Sequence, residues 1–176
     1  MYGMKKDRLQ LLPHDPAWKD DFLTEKNRIA AALDDRSVLI EHVGSTAIPA
    51  IHAKPIIDIA ILCGEQGLES LAGALPVLGY DYRGQFGEQR GHYYAVLEKN
   101  NVRLCQAHIF TEADAGWHAK LRFRDVLRRN PELAHEYDDY KQRLAKVVAN
   151  KSEYAEIKTR WVDTFILKVM RAAADD

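Results

Sequence analysis

The sequence predicts an α/β protein: a mixed β-sheet flanked by helices, with a helical extension at its C-terminal end. Three observations carry that reading. Apolar runs of strand length fall between residues 38 and 110, and segments of helical period precede and interrupt them. From Trp117 onward the apolar period is helical throughout. No internal repeat, low-complexity tract or Gly/Ser linker divides the 176 residues, so they read as one domain, with a core over about 1–112 and a helical subdomain packed on it over about 113–176.

The elements follow in order. Leu9 to Leu12 is a short apolar run stopped by Pro13. Asp15-Pro16 gives a cap followed by proline at the first helical position. Trp18, Phe22, Ile29 and Leu33 then share one helical face. Val38 to Val43 reads as a strand, followed by a loop of small residues in which Pro49 and Pro55 prevent a regular helix. Ile56 to Leu62 is a nearly unbroken apolar run, as expected of a central strand covered on both faces, and Asp58 lies inside it. Leu68, Leu71, Ala72, Leu75 and Leu78 mark a second helix closed by Gly79. A glycine-rich connection over 83–91 leads to His92–Leu97, and Asn100-Asn101 joins that run to Val102–Phe110 as a hairpin. Asn130-Pro131 repeats the cap-and-proline start signal. Two helical stripes follow it, one through Leu133, Tyr137, Tyr140, Leu144 and Val148, the other through Tyr154, Ile157, Trp161, Phe165 and Val169.

Lys and Arg number 25 against 26 Asp and Glu, so no basic excess offers a surface for long nucleic acid. Cys63 and Cys105 each sit in an apolar run and read as buried free thiols. The charged N-terminus leads into no apolar signal core, and no stretch approaches the roughly 20 apolar residues that span a bilayer. A cytoplasmic protein without membrane partners is expected.

One segment departs from what packing alone would choose, Glu41 through Thr46 and Lys54 through Ile59. A carboxylate inside an apolar strand is costly unless it is paired or binds a cation. A strand running into Gly44-Ser45 offers the opposite chemistry, because glycine admits close approach and the following N–H groups can cradle an anion. Asp58 can alternatively pair with Lys54 or Arg103. His42 and His108, on neighbouring strands, are candidate metal ligands or proton carriers, with satisfied core histidines as the competing reading. Lys54 and Arg90 are candidate phosphate ligands, or else solvated loop cations. His52 lies in the same loop, and Arg122, Arg124 and Asp125 either reach the cleft or form an ion-pair network.

The run EHVGSTAIPAIHAKPIIDIAI resembles the signature of the GrpB family. The likeness extends to LLPHDPAW, with His14 where the family has tyrosine, to LGYDYRGQFGEQRGHYY, to LRFRDVLRRNPELAHEYDDYKQRLA and to YAEIKTRWVDTFI. The resemblance implies a nucleotidyltransferase-like fold and a family whose members also occur fused to dephospho-CoA kinase. It implies that Gly44 and Ser45 hold the triphosphate of a ligand and that Asp58 is the first metal-ligating carboxylate; the residues themselves add Thr46, Lys54 and Arg90 as candidate ligand contacts, His108 beside Asp58 as a candidate catalytic group, and His42, Asp58 and His108 as a candidate metal set. It also implies a divalent cation, Mg²⁺ or Zn²⁺, and a nucleotide or other small phosphorylated partner. The superfamily's second carboxylate belongs at position 60, which is Ala60, and the later strand has Arg103, Gln106 and His108 but no Asp or Glu. The family's His-x-x-His-like pattern there becomes Cys105 and His108. Three functions are therefore expected to compete: transfer of a nucleotidyl or phosphoryl group to a small acceptor, a non-catalytic binding module assisting a CoA-pathway kinase, and a His/Asp metal-dependent hydrolase.

Overall fold

The structure, a computed structural model, describes residues 2–5, 8–33, 38–88, 90–148 and 150–172. Strand β1 (Met4–Lys5) is followed by α1 (Ala17–Ala31), β2 (Leu39–Val43), a 3-10 turn (Ser45–Ala47), β3 (Ile57–Leu62), α2 (Gly64–Val77), β4 (Tyr80–Gln85), β5 (His92–Lys99) and β6 (Val102–Phe110). Helices α3 (Ala115–Arg129), α4 (Pro131–Val147) and α5 (Lys151–Ala172) complete the chain. The sheet runs β2-β3-β6-β5-β4, with β1 paired to β6. It is mixed, since β3 and β6 are parallel and the other pairs antiparallel.

Residues that face each other across a ladder share one side of the sheet. On one side Ile57, Ile59 and Ile61 of β3 align with Cys105, Ala107 and Ile109 of β6. This side packs on Trp18, Phe22 and Ile29 of α1 and on Leu71 and Leu75 of α2. On the other side Asp58 and Ala60 align with Gln106 and His108, and Val43 of β2 stands opposite Asp58. There Val43, Ala60 and Phe110 pack on Trp117 of α3. A third cluster joins Ile48 and Ile51 of the β2–β3 loop to Val126, Tyr137 and Phe165 of α3, α4 and α5. The loop is thus packed among the three C-terminal helices.

Caps explain the starts of α3 and α4. Asp114 accepts from the Trp117 N–H (2.9 Å) and Asn130 from the Leu133 N–H (3.1 Å). Asn100 and Asn101 adopt φ of 51° and 62° in the β5–β6 hairpin, as their turn chemistry predicts. Two strands escape the sequence reading. β4 runs into the stretch that reads as a glycine-rich connection: it is an edge strand with polar alternate positions, and Gly84 lies at an irregularity between Tyr82 and Gln85. β1 is only two residues long. The Leu9–Leu12 run contributes a single bridge, Leu12 to Ala53, rather than a strand. Among the described residues no helix is long and apolar enough to cross a membrane, and both cysteines are buried and free.

Candidate functional site

Gly44 ends β2 with φ 71° and ψ −173° and starts the 3-10 turn. A Cβ at this position would lie 2.8 Å from Asp58 Cβ and 2.9 Å from Asp58 Cγ. Glycine is required here twice over, by its positive φ and by the close approach of the carboxylate.

The loop that follows is held from above by the helices. Arg124 Nη1 donates to the His42 carbonyl (2.9 Å) and to Glu41 Oε2 (2.7 Å), and Arg128 Nε donates to the Ala47 carbonyl (2.8 Å). Asp138 accepts from the His52 N–H (2.6 Å) and from His52 Nδ1 (2.8 Å). Lys141, 1% exposed, donates to the His52 carbonyl and pairs with Asp138. Burial raises the Asp138 carboxyl, but the His52 hydrogen bond and Lys141 outweigh it and hold the carboxyl below its ordinary value. Tyr137 Oη lies 3.2 Å from Ser45 Oγ.

Between the sheet and α3, α4 and α5 lies a cleft of about 530 Å³. Asp58, Gln106, His92 and His108 enter it from the strands, and Lys120 and Lys158 from α3 and α5. A second hollow of about 270 Å³ shares Asp58, Gln106, Lys158 and Thr159 with it, and brings Ser45, Lys54 and Arg103 to the same place. Among the described residues Asp58 is the one carboxylate lining either hollow.

Gln106 Nε2 donates to Asp58 Oδ1 (2.8 Å), while Gln106 Oε1 accepts from Tyr94 Oη (2.7 Å) and Arg103 Nη1 (3.3 Å). Those two donors fix which end of the amide faces Asp58. Arg103 is itself paired with Glu98 (2.7 Å). Burial raises the Asp58 carboxyl above its ordinary value, opposed by the Gln106 hydrogen bond and by Lys158, Lys120 and Lys54. Burial also lowers the Lys120 ammonium, with Asp58 acting the other way. Among the described residues neither Lys120 nor Lys158 makes a hydrogen bond or ion pair. Lys158 and Lys141 also act on Tyr137: burial raises its phenol, yet the two lysines and Ser45 bring it below its ordinary value.

At the other end of the cleft His92 Nε2 and His108 Nδ1 lie 3.1 Å apart, ringed by Phe86, Tyr94 and Phe110. Burial, and secondarily Lys120, lowers His92 to about 4, and the same causes take His108 well below its ordinary value. Both rings are neutral at pH 7. Each then carries one N–H, so one of them donates to the other.

Residues 8–168 match the family described as GrpB protein. The chain belongs to the GrpB family. A UPF0157 protein of Deinococcus radiodurans is 33% identical over 168 residues, covering 95% of this chain and 84% of its own length. Another from Pseudomonas aeruginosa is 35% identical over 170 residues, with 95% and 68% covered. The crystal structure of the conserved protein GrpB from Enterococcus faecalis superposes with a TM-score of 0.82 at 27% identity, covering 92% of this chain and 98% of that one.

The fold brings together much of what the GrpB resemblance singled out. Gly44 and Asp58 line the larger hollow with His108, and Ser45, Thr46 and Lys54 line the smaller with Asp58. Lys54 Nζ lies 4.2 Å over the Tyr154 ring. His42 requires a correction. It stands opposite Ile59, on the far side of the sheet from Asp58 and His108, stacked on Phe22 (4.7 Å) and hydrogen-bonded to Thr46 Oγ1 (3.0 Å). The three-residue metal site of His42, Asp58 and His108 therefore does not converge. Among the described residues no group of three or more His, Cys, Asp or Glu is placed to hold a metal. Arg90 is exposed and lines a separate hollow with Glu65, Tyr93 and Glu112, so it does not join the site either. Arg124 and Asp125 form the ion-pair network, and His52 is a loop anchor.

Sequence reasoning missed Lys120, Lys158, Tyr137, Gln106 and His92. The signal for the lysines was present: Lys158 falls on the same α5 face as Tyr154 and Trp161, and Lys120 lies one turn beyond Trp117 on α3. A lysine standing in an apolar stripe needs either a partner or an anion.

Proposed function

We propose that this protein binds a phosphorylated small molecule, with a nucleotide as the best fit, in the cleft between the sheet and α3, α4 and α5. One observation carries the reading: Lys120 and Lys158 enter the cleft without ion-pair partners among the described residues, facing a single carboxylate that is already hydrogen-bonded. Such a cleft has a positive excess that a polyanion neutralises, and its low-dielectric walls strengthen the attraction. The Gly44–Ser45 turn opens beside the two lysines, and Phe86, Phe110, Phe123 and Val162 add apolar lining that a flat ring can pack on.

If the bound phosphate is transferred, the developing charge sits on phosphate oxygens and the two ammonium groups stabilise it. His108 lines the same cleft with a neutral ring, but the burial and the Lys120 charge that keep it neutral also make it a weak proton acceptor. A second reading, a binding module without turnover, is favoured by Ala60, at the position where the family resemblance places a second carboxylate, and by a β6 strand without Asp or Glu.

Calorimetric titration with ATP, CTP and CoA tests the proposal. A dissociation constant in the micromolar range or tighter is expected for at least one, weakened about tenfold or more in Lys158→Ala. Absence of binding to all three overturns it. Chromatography of the bound nucleotide after incubation with small alcohols and amines separates transfer from binding alone.

A further inference from the structure

We infer that the phosphate groups of the ligand are held in this cleft without a divalent cation, their charge met by the ammonium groups of Lys120 and Lys158. The inference rests on the phosphorylated-ligand reading and specifies what neutralises the ligand.

The donor set is the first ground. A pair of hard cations needs several carboxylate oxygens converging from neighbouring strands. Among the described residues lining the cleft, Asp58 is the one such group. Ala60, next on the same face of β3, is 0% exposed and packed against Val43, Phe110 and Trp117, which leaves no oxygen and no room for one. Gln106 stands directly opposite Asp58 in the parallel ladder, and it presents an N–H donor, not an oxygen, because Tyr94 and Arg103 hold its carbonyl end. Oδ1 of Asp58 takes that N–H, and Oδ2 lies against Gly44, where even a methyl group would collide. One carboxylate oxygen is thus engaged by Gln106 and the other is crowded by the Gly44 backbone.

The charges are the second ground. Lys158 and Lys120 both act on Asp58. Their ammonium groups share the cleft with Asp58, and a further cation brought to that carboxylate would meet two like charges. Each ammonium carries three donors on a flexible stem, suited to phosphate oxygens as a compact point charge. They come from α3 and α5, opposite the sheet, so a polyphosphate lying along the Gly44–Ser45 turn meets a cation from above, not from the strands below.

The test titrates the full chain with inorganic tripolyphosphate and with ATP, in EDTA and again in Mg²⁺. Binding in EDTA at least as tight as in Mg²⁺ is expected, because Mg²⁺ removes charge that the lysines would otherwise meet. Lys158→Met and Lys120→Met are each expected to weaken binding in EDTA about tenfold or more, with circular dichroism reporting that both fold. Lys158 lines both hollows, so its variant carries the test if Lys120→Met is unstable. Binding that appears only with Mg²⁺ overturns the inference and leaves the proposed function standing. No binding under either condition overturns the inference, and with CTP and CoA also unbound it overturns the proposed function. As an independent arm, Mn²⁺ is added to the protein alone and followed by electron paramagnetic resonance. The free-ion signal is expected to be undiminished, and stoichiometric loss of that signal that is abolished in Asp58→Asn overturns the inference.

Discussion

Asp58 and Gln106 face one another across the parallel β3–β6 ladder, and the amide donates to the carboxylate at 2.8 Å. Replacing the amide by a carboxylate keeps the shape and inverts the interaction. In Gln106→Glu two negative groups share one partly buried place, so both resist ionisation, and the substitution also removes the N–H donor that Asp58 had. Their folded-state pKa values rise above the unfolded ones, so the penalty is absent below the ordinary carboxylate value and grows as pH rises through that value towards the raised ones. A loss of about 1–3 kcal/mol at pH 7 is expected, recovered on acidification, in urea unfolding followed by circular dichroism. Mg²⁺ is expected to raise the melting temperature of this variant and to leave that of the native chain unchanged.

Gly44→Ala meets both the positive φ and the Asp58 side chain at 2.8 Å. The expected cost is about 2 kcal/mol or more in chemical denaturation. Asp58→Gly removes the atoms that the new methyl group meets, so the double variant should cost less than the sum of the two single ones. If the costs simply add, the close approach is not what makes residue 44 glycine.

Three buried neutral histidines set an acid limb. Burial lowers His42 to about 3 and His92 to about 4, and takes His108 well below the ordinary value. Between those values and about 6.5 the unfolded chain binds protons that the folded chain refuses, so stability falls as pH falls. In the middle of that window the slope approaches about 4 kcal/mol per pH unit, three groups at about 1.4 each. Urea midpoints from pH 7 to 4.5 measure it, and His42→Gln should remove about a third of the slope while leaving ligand binding intact.

Asp138→Asn removes the negative partner of Lys141, which is 1% exposed, and weakens the anchor of His52. Breaking a buried pair from one side costs about 3–5 kcal/mol, and thermal unfolding at pH 7 reads it. The native Asp138 carboxyl lies below its ordinary value, so its contribution is complete above about 3.9 and disappears as pH falls through the depressed value. The variant should therefore approach the native chain in stability at the acid end.

Much of the fold was legible because the period of its apolar residues is dictated by burial. Ile56–Leu62 is apolar on both faces since β3 lies between α1 and α2 on one side and α3 on the other, and the Asn130 cap marks the start of α4 locally. β4 was illegible because an edge strand buries alternate residues only, and its glycine suits an irregularity as well as a turn. Within the site, Gly44, Ser45 and Asp58 could be named because they are chemically out of place in their own segments. His42 was misplaced by a single step of the strand's two-residue period, which moved it to the face against α1. Lys120 and Lys158 reach the cleft from helices far along the chain, and no local pattern connects them to β3.

The pairing of Asp58 with Gln106 has a consequence for descent. Around Asp58 the electrical balance is shared among an amide at 106 and amines at 120 and 158, which lie on three separate elements. A carboxylate gained at 106 would cancel the positive excess that draws a polyanion, so the residues at 106, 120 and 158 set the charge of the cleft together. A lineage that made the exchange would carry the same fold with a different counter-ion, drawn from the surrounding solution instead of encoded in the chain. Its ligand affinity would then follow the magnesium level of its surroundings, where the lysine-held ligand proposed for this chain would not.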